Sequence, residues 1–327
     1  MPQVIDNFLR EQLLERRDKL HHAVKRAAHS DHLHDLLEEV DSALAKMEDG
    51  SYGLCEHCHL PIEGDRLLAD PMIRFCLCNL TESERGALEQ DLEMAARVQR
   101  ALLPPQNLVR NGWYVTYHYE PAGLVSGDYC DVIDSADSSL YFMVGDVSGK
   151  GVAASMLTAH MHAMFRALIS VGLSLKEMLE HASRVFRGST LPTQYATLVC
   201  GRAFRDGKIE ISNAGHPPPL VAANGTVAPV DGNNLPLGMF AEEEFSVSEL
   251  FLEPGHNLVI YSDGVSEATD ASGAEYGSDR IRKVINSNCA ALSCELLTAC
   301  REDLLTFCGG APRSDDVTFF VLGRSAA

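Results

Sequence analysis

Residues 140–151 read LYFMVGDVSGKG. The run Leu140–Val144 is short, apolar and rich in aromatic side chains, the mark of a strand buried inside a layered domain. Asp146 closes it. Gly145, Gly149 and Gly151 bracket that aspartate, so backbone can come close to an ion or a substrate there. Helical periodicity then takes over and predicts a helix over 151–171. The strand-and-aspartate pairing returns along the chain. Asp263 closes Leu258–Tyr261 in LVIYSDG, and Asp315 stands just before Val317–Leu322 in SDDVTFFVL. Asp128 lies in SGDYCD, ahead of a further short strand. If neighbouring strands run antiparallel, leaving and entering ends meet at one rim of a sheet and the carboxylates converge. Like charges that close together need a counter-charge, and hard divalent cations with oxygen ligands supply it. An Asp-Gly or Asp-Asp pair taken alone is an ordinary turn. The four together point to a two-metal hydrolytic centre.

The surrounding pattern predicts an α+β chain. From Trp113 the residues Val115, Tyr117 and Tyr119 alternate as in a half-buried strand, and short strands then alternate with turns. Helical stretches at about 151–171 and 174–187, and again at about 277–287 and 291–307, come in pairs, so helices cover packed sheets. Upstream, Ile5, Leu9, Leu13, Leu20 and Val24 keep helical spacing. So do Leu33, Leu36, Leu37, Val40, Leu44 and Met47, with a turn around His29, Ser30 and Asp31. Residues 1–50 thus read as a helical hairpin, and the five histidines at 21, 22, 29, 32 and 34 as its solvated polar face. A compact cysteine-rich unit occupies 51–80, and a helix spans 81–105, opened by the capping box Thr81-Glu82-Ser83-Glu84 and stopped at Pro104-Pro105. Residues 106–327 form the catalytic domain.

Composition narrows the function classes. A formal net charge of −19 argues against a broad nucleic-acid-binding surface, and no stretch approaches the length of a membrane helix. The first residues, MPQVIDNFLREQLLERR, carry charges where a signal peptide needs an apolar core, so a cytoplasmic protein with reduced thiols is expected. Cys55-x-x-Cys58 and Cys76-x-Cys78 have the spacing of a tetrahedral structural zinc site. A unit so small buries too little apolar area to fold unaided, and zinc would provide much of its stability. His57 and His59 are alternative ligands beside that shortened second pair. Cys130 begins no Cys-x-x-x-x-x-Arg loop, which excludes cysteine-based phosphatase chemistry. His216 in NAGHPPP has the type of a general acid, but the sequence around it reads better as a turn between strands 208–212 and 220–222.

Seven elements stand in order along the chain: DLEMAARVQRALLPP (91–105), EPAGLVSGDYCDVI (120–133), VGDVSGKGVAASM (144–156), NAGHPPPL (213–220), LPLGMF (235–240), YSDGVSEA (261–268) and SDDVT (314–318). Over residues 88–324 the chain resembles the metal-dependent serine/threonine phosphatases of the protein phosphatase 2C (PPM) superfamily, in the branch named after stage II sporulation protein E. The resemblance implies a four-layer α-β-β-α sandwich and two Mg²⁺ or Mn²⁺ ions. Asp146 would bridge both ions, with the backbone carbonyl of Val147 as an extra ligand. Asp263 and Asp315 would hold the second, and Asp128 would act directly or through water. The animal branch's phosphate-binding arginine has no equivalent in EPAGLVS, which leaves substrate phosphate to the metals and Lys150. The resemblance also implies a phosphoserine or phosphothreonine substrate on an anti-sigma-factor antagonist. It further implies control by the N-terminal region, and a homodimer paired through the 81–105 helix by Leu88, Leu92, Ala95 and Val98. The hairpin with SYGLCEHCHLPI and RLLADP resembles DksA/TraR zinc-finger proteins, which insert a helical hairpin into RNA polymerase. An RNA-polymerase-binding regulator with a secondary phosphatase domain is therefore the alternative reading, and a silent scaffold a third. The presence of all four aspartates argues against silence.

Overall fold

The structure, a computed structural model, describes residues 3–26, 31–232, 234–240, 244–311, 313 and 315–325. The chain divides into two compact units, Met1–Asp91 and Leu92–Ala327.

In the first unit, helices α1 (Gln3–Arg26) and α2 (Asp31–Asp49) pack through Leu13, Val40, Ala43 and Leu44. Those residues hold one face of each helix at three-four spacing, the stripe that an amphipathic pair must bury. The predicted turn residues His29 and Ser30 lie outside the described residues, and Asp31 begins α2. His21, His22 and His34 are exposed, with His22 Nδ1 2.8 Å from the Asp18 carbonyl. The cysteine-rich segment folds around short helix α3 (Gly64–Ala69) and a 3₁₀ turn at Leu77–Asn79. Its core is small: Leu9, Cys55, Ile62, Leu67 and Cys76. Helix α4 spans Glu82–Leu102, and the boundary between the units falls inside it. Its capping box forms as the sequence predicts: Glu84 N donates to Thr81 Oγ1 at 3.2 Å, and Thr81 N to Glu84 Oε2 at 2.9 Å.

The second unit stacks two antiparallel sheets. Its strands are β1 (Leu108–Arg110), β2 (Trp113–Glu120), β3 (Asp128–Asp134), β4 (Leu140–Val147), β5 (Ala196–Ala203) and β6 (Lys208–Ala214). They continue with β7 (Leu220–Ala223), β8 (Thr226–Pro229), β9 (Ser248–Phe251), β10 (Asn257–Tyr261) and β11 (Val317–Arg324). One sheet has the order β1-β2-β11-β10-β7-β8, the other β3-β4-β5-β6-β9. The apolar runs of β4, β10 and β11 are continuous because both faces of each strand are buried, and the period of two assigns each residue its layer. Phe142, Val144, Ile260 and Phe320 point between the sheets. Phe142 and Phe320 stack there with centroids 6.0 Å apart. Burying each such ring contributes roughly 1.5–3 kcal/mol. Tyr141 and Met143 face helices α5 (Gly151–Val171) and α6 (Leu175–Ser189) on the outer side of the five-stranded sheet. Val259, Phe319 and Val321 face α8 (Ser278–Ser287) and α9 (Ser293–Cys308) on the outer side of the other. The result is a four-layer α-β-β-α sandwich. A single helical turn, α7 (Asp263–Ser266), follows β10. Among the described residues no helix is long and apolar enough to cross a membrane.

Candidate metal centre

Antiparallel pairing brings the aspartates to one rim. Asp128 opens β3 and sits in register with Asp146 near the end of β4. In the other sheet β10 pairs with β11, Tyr261 against Phe319, so Asp263 just after β10 and Asp315 just before β11 leave at the same end. The two rims are stitched by Thr318, whose hydroxyl on β11 donates to Asp128 Oδ2 on β3. Ser262 locks the β10 exit. Its N–H donates to the Thr318 carbonyl at 3.0 Å, and its Oγ accepts from Thr318 N at 3.0 Å.

The space beside Asp146 is kept open by Gly127. A Cβ there would lie 2.9 Å from Asp146 Oδ1 and 3.3 Å from the Val147 carbonyl, so both oxygens face a cradle that any side chain would fill. Gly145 has a different purpose from the one expected. A Cβ on it would meet the Thr197 carbonyl at 2.4 Å, so it is small for the sake of β5 and not of a ligand.

The electrostatics of the rim favour a bound cation. Burial, then the charges of Asp128, Asp263, Asp315 and Asp316, push Asp146 up to about 9. Burial pushes Asp128 up to about 8, against the pull of the Thr318 hydroxyl. Asp263 is raised by burial and by Asp315. Carboxylates that elevate one another in this way call for cations, and an all-oxygen donor set suits Mg²⁺ or Mn²⁺. Among the described residues, the only group of three or more ligand side chains with all donor atoms within 4.8 Å is the cysteine set. The four carboxylates do not form a cluster that tight.

Lys150 stands at this rim, Nζ 2.9 Å from Asp315 Oδ2, with its side chain 68% exposed. Such a pair contributes roughly 0–1 kcal/mol, so the lysine is held loosely. His216 lies in a turn: Asn213 Oδ1 accepts from its N–H and Asn213 Nδ2 donates to its carbonyl, both at 2.9 Å. Its ring is buried, 2.9 Å from Thr197 Oγ1, and burial pushes it down to about 3, so it is neutral near pH 7. Cys130 is buried in the inter-sheet core, where desolvation holds its thiol well above the ordinary range.

Thr318, Ser262 and Gly127 were not singled out in the sequence, and neither were four further contributors. Asp316 Oδ1 and Oδ2 accept from Ala122 N and Gly127 N, each at 2.7 Å, and so strap the loop before Asp128 to β11. Asp131, fully buried on β3, takes Arg166 Nη2 at 2.8 Å and His162 Nδ1 at 3.1 Å, which anchors α5. Gln99 and Ser126 join α4 to that same loop. The doubled Asp315-Asp316 was the visible signal for the first, and a polar residue in step with the apolar stripe of α4 for Gln99.

In the first unit the sulfurs of Cys55, Cys58, Cys76 and Cys78 lie within 4.8 Å of one another, so the shortened second pair still closes the set. Cys78 N donates to Cys76 Sγ at 3.4 Å. Although burial raises it, the backbone N–H groups of Cys58, Cys76 and His57 bring the Cys55 thiol down to about 6. His57 and His59 are exposed and stand outside the cluster.

The sequence pattern of the stage II sporulation protein E (SpoIIE) family matches residues 136–325, more than half of the 327-residue chain. The chain belongs to the SpoIIE family. Asp146, Asp263 and Asp315 fall inside the matched segment, and Asp128 just ahead of it. Among curated relatives, phosphoserine phosphatase RsbP of Bacillus subtilis is 27% identical over 217 residues, 64% of this chain and 53% of RsbP. Protein IcfG of a Synechocystis strain is 24% identical over 277 residues, 75% of this chain and 43% of IcfG. The chain therefore spans about half the length of these two relatives. The SiaA-PP2C domain of Pseudomonas aeruginosa, a solved structure 20% identical, has a TM-score of 0.65 and covers 75% of this chain and 98% of that domain. That likeness is one of fold: the chain shares the four-layer sandwich of that domain.

Proposed function

We propose that this chain is a Mg²⁺- or Mn²⁺-dependent phosphoprotein phosphatase that hydrolyses phosphoserine or phosphothreonine, with a phosphorylated anti-sigma-factor antagonist as substrate. The observation that carries the reading is the convergence of Asp128 and Asp146 from one sheet with Asp263 and Asp315 from the other, joined through Thr318. The name of RsbP, a phosphoserine phosphatase, agrees with it. Bound at this rim, two such ions supply a water activated near neutral pH and neutralise charge on the phosphoryl oxygens. The chain's own residues do the holding. Asp146 and the Val147 carbonyl would hold the shared ion, Asp263 and Asp315 the second from the other sheet, and Asp128, held by the Thr318 hydroxyl, would act directly or through water. Lys150, on the exposed side of Asp315, is the cation placed to meet a substrate phosphate. The four cysteines hold one structural Zn²⁺ in a DksA/TraR-like finger, and the N-terminal unit regulates the catalytic one.

Hydrolysis of a phosphoserine peptide by the full chain should require added Mg²⁺ or Mn²⁺. It should fall in Asp146→Asn and Asp263→Asn by roughly a hundredfold or more, the scale on which losing one charge-stabilising group slows an enzyme. Full turnover by either variant, or hydrolysis that survives chelation, would remove the metal assignment.

A further inference from the structure

The loop that delivers Asp128 is gripped from two directions. Asp316 holds it from β11. From the other side comes Gln99 of α4, a polar residue only 7% exposed. Both amide hydrogens and the amide oxygen are engaged: Nε2 donates to the Ser126 carbonyl at 2.7 Å and to Thr158 Oγ1 at 3.0 Å, while Oε1 accepts from Ser126 N at 3.0 Å. Ser126 passes the connection on, because its Oγ accepts from Asp128 N at 3.0 Å. Thr158 lies on α5, the helix that starts directly after the Asp146–Lys150 segment. One side chain therefore ties α4 to the loop that leads into Asp128 and, separately, to the body of α5.

Burying a primary amide is costly unless every bond is made, and packing alone would be served by an apolar residue such as the neighbouring Ala96. The bonds that recover the cost end on the N–H and the C=O of the same residue. That fixes the peptide planes on both sides of Ser126, two positions before Asp128. We infer that Gln99 is a positioning residue for the metal centre, setting the place of Asp128 through Ser126 and making that place depend on the seating of α4. The inference rests on the metal-dependent reading given above. An outer partner of this kind is worth about tenfold or more in metal affinity where it has been removed from other sites.

The test uses the full chain and Mn²⁺ alone as probe, with titration calorimetry giving its Kd and thermal melting reporting fold. Gln99→Met keeps the volume and removes all three bonds. Ser126→Ala leaves the Gln99 bonds to backbone intact and removes the link to Asp128 N, together with the hydroxyl's bond to Tyr119. Both should raise the Mn²⁺ Kd by about tenfold, and the Mn²⁺ concentration for half-maximal peptide hydrolysis should move with it while kcat at saturating Mn²⁺ recovers. Thr158→Val, which spares both bonds to Ser126, should leave the Kd within about twofold. A merely structural Gln99 would lower the melting temperature in Gln99→Met and in Thr158→Val at unchanged Kd, and that result overturns the inference. If Gln99→Met fails to fold, Ser126→Ala alone decides, and a wild-type Kd in it overturns the inference equally. A wild-type chain that binds no Mn²⁺ removes the metal reading and this role together; normal binding with unaffected variants removes this role alone.

Discussion

At the scale of single residues, the aspartates were legible because each stands against a strand signal that is itself local. Their neighbours were not. Asp316 acts on amides 189 and 194 residues away in the chain, and Thr318 on a carboxylate 190 residues away. Nothing in the sequence near them announces a partner. The elevated carboxyls carry a testable consequence. Asp128 and Asp146 are held at about 8 and about 9, above the ordinary 3.8. Without ions the native state keeps more protons than the unfolded chain between those limits. The stability these groups contribute is complete below the ordinary value and is lost as pH rises through the folded values. Divalent ions bind the deprotonated rim, so binding releases protons below that range and tightens as pH rises through it. Chelated protein should therefore lose melting temperature from about pH 6 to about pH 9, and the gain on adding Mn²⁺ should widen over the same interval. A gain in melting temperature that is flat or shrinking with pH would show that these carboxylates are not the binding groups.

At the scale of elements, helix ends were read to within about three residues, best where capping chemistry is written in neighbouring positions, as in Thr81-Glu84, and least well at the C-terminal end of α4, which stops at Leu102 and not at 105. The strands were clear because burial on both faces leaves unbroken apolar runs. The buried face of α4 was harder. Apolar spacing favoured Val98, yet Val98 is 54% exposed while Ala96 and Gln99 are buried, because a polar side chain occupies the stripe where its tertiary partners need it. The cysteine segment is an element whose apolar core of Leu9, Ile62 and Leu67 is too small to hold it alone. Purified protein should carry about one tightly held Zn²⁺ per chain, separate from exchangeable Mn²⁺ or Mg²⁺. Elemental analysis of Cys55→Ser/Cys58→Ser should show that zinc gone and the first unit more open to protease. Unchanged zinc would place the ion elsewhere.

At the scale of the whole molecule, α4 begins in the first unit and ends in the one that carries the aspartates. The α+β class was legible from the pairing of helices with strands and the four layers from the family resemblance, but which face of α4 is free for a partner was not. Leu92 and Ala95 are half-buried, and Ala96 and Gln99 face inward. Ala87, Met94, Val98 and Ala101 are exposed, with Met94 at 53%. Their spacing of seven, four and three is that of a two-helix seam. We propose that a homodimer pairs along this strip, which shares only Val98 with the stripe of Leu88, Leu92, Ala95 and Val98 expected from the sequence. The seam and the Gln99 grip then lie on adjacent faces of one helix. Turning α4 in its pair would shift Ser126, and Asp128 with it. Met94→Glu with Val98→Glu places like charges across the seam without touching Gln99. It should convert a dimer to monomer by light scattering, and the Mn²⁺ needed for half-maximal hydrolysis should change in the same samples. A wild-type monomer, or a variant that stays dimeric, refutes the seam; a variant that dissociates with unaltered metal dependence refutes the coupling and leaves Gln99 as a fixed strut.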